Sequence, residues 1–167
     1  MPSQRDLVVA NGFVQHGLDA SPLFPGYKVL LHGKTRIACG AVLSALLVKA
    51  SSATLAPSSL SKHRFQERCV HQGLIAIGDC FFWRAEKSRQ LAGLPAHAGH
   101  DVLAVEMEGA AVAQICLDHG VPFAVMRTIS DQPDDNAHVD FLDFIVAVAS
   151  PYARLNKKNF LNLLLKK

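Results

Sequence analysis

Only four cysteines, Cys39, Cys69, Cys80 and Cys116, are spread over the 167 residues, with no CxxC pair and nothing near the density of a secreted disulfide scaffold. Reduced thiols in a cytoplasmic protein are the plain expectation. The opening MPSQRDLVVANG has no apolar core of the kind a secretory signal carries. The most apolar stretch, residues 41–48, falls far short of the roughly 20 residues a membrane span needs, so no membrane association is expected. Aromatic residues make up only 7%, and no basic stripe interleaves with them, which argues against nucleic acid as a partner. The formal charge of +3 carries little meaning, because setting aside Lys157, Lys158, Lys166 and Lys167 at the C-terminal end turns it into −1. No glycine-rich phosphate loop of the Rossmann or Walker kind is present. His97 and His100 lie in a small-residue loop without a carboxylate at ligand spacing, so neither a metal nor a redox cofactor is expected.

Half of the residues are apolar, mostly aliphatic, and the length suits a single α/β domain over 1–167 with a substantial core. Residues 7–10 read as a short buried strand closed by Asn11-Gly12, and residues 29–31 as another. Residues 41–55 have helical composition, ended by Pro57. Residues 70–77 form a strand candidate stopping at Gly78-Asp79, and residues 85–94 a short surface helix. Then come strand 102–105, helix 108–118 with Gly120 as its left-handed stop, and strand 122–129. Phe141, Phe144, Ile145 and Val148 follow helical i, i+3, i+4, i+7 spacing, and Pro151 is expected to kink or break that helix. Short strands alternating with helices indicate α/β architecture.

The stretch VEMEGAAVAQICLDHGVPFAVMRTISDQPDD, residues 105–135, concentrates the chemistry. Glu106 and Glu108 stand where one strand passes into a helix, and Asp131 follows the next strand. Ligands of α/β sheets bind beyond the carboxyl ends of strands, so these acids are expected to face one crevice. Read without further context, Ser130-Asp131 equally suits a turn toward Pro133, and Glu108 equally suits the positive end of a helix. Met107 could be an ordinary core residue, and Arg127 a strand arginine paired with Glu106.

VEMEGAA followed by VMRTISD resembles the nucleoside phosphorylase superfamily, and within it the methylthioadenosine/S-adenosylhomocysteine nucleosidases. GDCFF (78–82) and FVQHGLDASPLFP (13–25) match further blocks in the same order, so the resemblance runs from about residue 6 to about residue 153. It implies a mixed sheet flanked by helices and hydrolysis of an N-glycosidic bond to release adenine. Asp131 would be the general acid to the imidazole-ring nitrogen of adenine, oriented by Ser130. Glu108 would hold the ribose hydroxyls, with Met107 under the sugar and Glu106 and Arg127 supporting this carboxylate set. Phe81 would stack on adenine and the backbone near Phe82 would read its edge, although both could instead be core aromatics beside Trp83. His16 and Phe24, in a loop with Asp19 and Pro22, would meet the 5′-substituent across a homodimer interface; a surface loop is the alternative. Ile77 departs from the pattern, which commonly has serine there.

Members of that family carry a strand–helix segment upstream of the match to Asp6. It supplies a water-positioning glutamate and a glycine-rich stretch near the ribose. The resemblance therefore implies an N-terminally truncated form of the fold. Two alternatives follow: a catalytically inactive nucleoside-binding or dimer-forming remnant, and a phosphorylase that uses phosphate in place of water.

Overall fold

The computed structural model describes residues 2–16, 22–23, 33–56, 68–78, 102–130 and 141–166. Its center is a long strand, β1 (Leu7–Gln15), in which Leu7, Val8, Val9 and Ala10 have no exposed surface. A strand covered on both faces is an uninterrupted apolar run rather than an alternating one. One edge of β1 pairs in parallel with β3 (Val70–Ile77), which pairs in parallel with β4 (Val102–Glu106). The other edge is shared by two short antiparallel strands. β5 (Met126–Thr128) lies along Leu7 to Val9, and β2 (Ile37–Ala38) lies against Gly12 and Phe13.

The expected turn at Asn11-Gly12 is not formed. The strand runs through it with a bulge, the register against β3 shifting between Ala10 and Gly12. Asn11 is held from outside the ladder: its carbonyl accepts the Cys39 N–H at 3.2 Å, and its side-chain oxygen accepts from Arg36 at 2.9 Å. The bulge also resets the side-chain alternation. Val8, Ala10 and Phe13 line one core cluster with Ile37, Ile75, Ile77, Ala104 and Ala113, although Ala10 and Phe13 are an odd number of residues apart. Phe13 stacks on Phe123 with ring centers 6.0 Å apart.

Helix α1 (Ala41–Leu55) begins where Phe123 accepts the Gly40 N–H at 2.8 Å, and ends at Ala56 in extended backbone, as a residue preceding proline prefers. Its buried side is mostly polar. Ser44 donates to the Ala10 carbonyl, while Ser51 and Thr54 accept from Asn156 and Asn159. Helix α2 (Gly109–Asp118) closes with a paired cap, Gly120 N–H to Leu117 and Val121 N–H to Cys116, which needs Gly120 at φ +62°.

Corrections to the remaining expectations have local causes. Residues 122–125 do not pair as strand: their carbonyls bond one at a time, Phe123 to Gly40 and Val125 to Ala10, leaving only Met126–Thr128 in the ladder. The C-terminal helix is not broken by Pro151. It runs on as α3 (Phe141–Phe144), a π-helical turn (Ile145–Ala149) and α4 (Ser150–Leu165), and the wider turn, in which the Ser150 N–H donates to Ile145 five residues back, falls immediately before the proline. The buried stripe is Phe144, Val148, Tyr152 and Asn156, whereas Phe141 is 40% exposed. The expected strand 29–31 and helix 85–94 lie outside the described residues. Among those residues no helix is long and apolar enough to cross a membrane.

At the amino end of the sheet, the buried Asp6 carboxylate accepts from the Ser3 and Cys69 N–H groups at 2.8 and 3.0 Å and meets His71 Nε2 at 2.8 Å. Burial pushes its pKa up, but the two N–H groups and His71 outweigh it and leave Asp6 below its ordinary value.

Candidate active site

The carboxyl ends of the three parallel strands are laced together in the main chain. The His16 N–H donates to Ile77 at 2.8 Å, and the Gly78 N–H to Glu106 at 3.2 Å. This seats His16, from the end of β1, with its imidazole against Gly78 at the end of β3. Gln114 of α2 donates to Gln15 at 2.9 Å, tying the helix to the same end of β1.

Glu106, the last residue of β4, has a side chain only 6% exposed. Its carboxylate turns onto the start of α2, accepting the Gly109 N–H at 2.7 Å and the Glu108 N–H at 3.4 Å. Glu108 occupies the cap position yet makes no capping bond with its own side chain. The cap comes from two residues upstream, in the favorable field of a helix N-terminus. Arg127 then pairs with Glu106 and stands 3.6 Å from Glu108 Oε2.

The pairing of Arg127 with Glu106 has a geometric consequence. Arg127 lies opposite Val8, whereas Glu106 is level with Ile77 and so with Gln15. On a flat sheet about 20 Å of strand would separate them. Partners directly across a sheet share a face, so Arg127 lies on the face of Val8 and Glu106 on that of Ile77; both belong to one core cluster. The sheet must therefore curl so that this face is concave, and the β1 bulge falls midway along the span, where it adds twist. The expected reason for convergence also changes. β5 is antiparallel to β1, so its carboxyl end does not align with those of β1, β3 and β4. Curvature and the length of Arg127 bring it to the acids.

Two carboxylates thus share one guanidinium. Glu106 takes the close ion pair and two N–H groups, while Glu108, 73% exposed at the side chain, meets the same guanidinium at 3.6 Å. Met107 between them is 39% exposed, which removes the core-methionine alternative. Ser130 follows β5, its carbonyl accepting from Gln4 at 2.7 Å. Asp131, Phe81, Phe82 and Phe24 lie outside the described residues, as do Asp19, His97 and His100. Among the described residues no group of three or more His, Cys, Asp or Glu side chains gathers in a way that could hold a metal.

Sequence reasoning did not single out Gly109 or Phe13 as parts of this arrangement. A Cβ on Gly109 would overlap Glu106 Oε1 and come within 3.3 Å of the Phe13 ring. The available signal was the glycine three residues after an acid at a strand-to-helix junction.

Residues 3–158 match the family model described as "Phosphorylase superfamily". A 5′-methylthioadenosine/S-adenosylhomocysteine nucleosidase of an Exiguobacterium species is 42% identical over 86 residues, 52% of this chain and 35% of that one. An aminodeoxyfutalosine nucleosidase of Helicobacter pylori is 32% identical over 153 residues, 92% of this chain and 59% of that one. The crystal structure of S-adenosylhomocysteine nucleosidase from Streptococcus pyogenes in complex with 5-methylthiotubericidin superimposes with a TM-score of 0.77 at 29% identity, covering 98% of this chain and 62% of that one. The chain therefore spans about a third to three fifths of the length of these proteins. With residues 3–158 matched by the family model, the chain belongs to the phosphorylase superfamily.

Proposed function

We propose that this protein hydrolyzes the N-glycosidic bond of 5′-methylthioadenosine or S-adenosylhomocysteine, releasing adenine, and acts as a cytoplasmic homodimer in purine and methionine salvage. The observation that carries the reading is the unequal treatment of two neighboring acids. Arg127 and two N–H groups satisfy Glu106, whereas Glu108 meets the same guanidinium only at 3.6 Å and keeps a side chain that is 73% exposed. A carboxylate with free lone pairs suits two vicinal hydroxyls, and its charge suits a sugar ring that becomes positive as the bond to the base breaks.

In the proposed reaction the bond between C1′ and the base nitrogen breaks with its electron pair going to adenine. Asp131 donates a proton to the imidazole ring, and Ser130 orients that acid. Water adds to C1′ from the opposite face and releases one proton to solvent, and Asp131 regains one from solvent, so that nucleoside and water give adenine and the free sugar. General acid catalysis of this kind contributes roughly 10²–10⁴-fold. Phe81 and Phe82 would bind the base, Met107 the underside of the sugar, and His16 and Phe24 the 5′-substituent. The names of the relatives support nucleoside hydrolysis over phosphorolysis.

Asp131→Asn tests the assignment. Adenine release should fall by at least about 100-fold while nucleoside affinity changes less than about threefold. Unchanged turnover would remove Asp131 from the mechanism, and a requirement for phosphate would move the chain to the phosphorylase reaction. Including aminodeoxyfutalosine among the substrates settles which nucleoside is preferred.

A further inference from the structure

We propose that Gln4 is a positioning residue for the general acid: its side-chain amide holds the Ser130 carbonyl and so fixes the peptide unit that leads into Asp131. The inference rests on the acid role given to Asp131 above. Gln4 Nε2 donates to that carbonyl at 2.7 Å, across 126 residues of chain. Two bonds beside it tie the same segments in the main chain. The Arg5 N–H donates to Ile129 at 2.7 Å, and the Ile129 N–H donates to Asp6 at 2.9 Å. β5 ends at Thr128, so the Gln4 bond carries the hold two residues past the ladder, up to the residue before Asp131. The oxygen of Ser130 and the nitrogen of Asp131 belong to one planar peptide unit, so a donor on that oxygen sets the plane from which the Asp131 backbone departs.

The turn that presents Gln4 is itself built to stay in place. The Asp6 N–H donates to the Ser3 carbonyl at 3.0 Å, and the Ser3 N–H returns to the Asp6 carboxylate at 2.8 Å. That carboxylate is buried and held further by the Cys69 N–H and His71. Arg5 sits in the turn at φ +73°, the left-handed region that residues with side chains avoid, and among the described residues it is the only non-glycine there. A residue stays in that region when its surroundings over-determine it. A hydrogen bond between two loose segments contributes little, because both must be ordered to make it. Here both backbones are already tied, and only the Gln4 side chain has to be fixed.

The test measures three quantities on the full chain: adenine release from saturating methylthioadenosine, affinity for a non-hydrolyzable methylthioadenosine analogue, and unfolding in urea. Gln4→Glu has the same length but no N–H to give, and its charge repels the carbonyl oxygen. Its saturated rate should fall about tenfold, the scale expected when a reacting group is misplaced, while affinity stays within about twofold. Gln4→Arg keeps N–H donors on a longer arm and should hold the rate within about threefold of wild type. A Gln4→Glu rate within about twofold of wild type, or an equal fall in Gln4→Glu and Gln4→Arg, would overturn the positioning role. So would a fall matched by an equal loss of affinity, or one explained by unfolded protein in the urea curves. Asp131→Asn, measured alongside, separates the two readings. If it abolishes release while Gln4→Glu does not lower it, only this inference fails. If it leaves release unchanged, or if wild type releases no adenine, the acid role of Asp131 fails and this inference with it.

Discussion

Replacing Arg127 with methionine would isolate the Glu106 carboxylate, and the structure sets the size of the effect. Removing one partner of a fully buried ion pair costs about 3–5 kcal/mol, because the other charge is left without compensation. Glu106 is buried that deeply, but the Arg127 side chain is 36% exposed, so solvent already screens half of the pair. Glu106 also keeps the Gly109 N–H at 2.7 Å. The expected loss is therefore smaller, about 1–3 kcal/mol. Glu106→Gln alone should cost a similar amount, since Arg127 then faces a neutral amide. The double variant should recover part of both losses, with a coupling of at least about 1 kcal/mol. Urea denaturation of the four proteins, with slopes checked for constancy, measures this directly. Additivity within about 0.5 kcal/mol would refute the idea that these side chains act as one unit.

Four further outcomes are expected. Glu108→Gln should leave the unfolding free energy within about 0.5 kcal/mol of wild type, as befits an exposed side chain, while weakening nucleoside binding about tenfold or more; urea denaturation checks the first half and titration with a non-hydrolyzable methylthioadenosine analogue the second. Phe13→Ala should cost about 3–5 kcal/mol, because the ring is buried, stacked on Phe123 and packed at the start of α2. Asp6→Asn should cost about 2 kcal/mol at neutral pH. With the folded pKa of Asp6 depressed, that contribution is complete above the unfolded value of 3.8 and fades as pH falls through the lower folded one, so denaturation at pH 6 and in strong acid should show the difference closing. Cys39, whose thiol is pushed by burial up to about 11 against a smaller opposing effect of Arg36, should alkylate far more slowly at pH 8 than the exposed Cys69, as peptide mass spectrometry would show.

Parts of this fold are legible in the sequence because local and tertiary preferences agree there. Residues 70–77 form a strand over the expected bounds, and helix α1 stops where Pro57 requires. Helix α2 starts one residue later than its pattern suggests, and Gly120 caps it as expected. Asn11-Gly12 misleads because the dipeptide signals a turn, while bonds from Arg36 and Cys39, distant in sequence, hold it as a bulge. The direction of β5 carries no local signature, so its antiparallel course against β1 and the need for curvature emerge only in three dimensions. At the site, spacing brings Glu106, Glu108 and Arg127 to attention as residue types. Which acid the arginine satisfies, and why a glycine follows the second one, depend on distances that spacing does not encode.

The most direct test of the account is adenine release by the purified 167-residue chain, supplied with methylthioadenosine or S-adenosylhomocysteine in phosphate-free buffer. The account predicts release that is lost in Asp131→Asn. A folded sample that binds these nucleosides and releases no adenine would contradict it and leave a nucleoside-binding protein without the hydrolytic step.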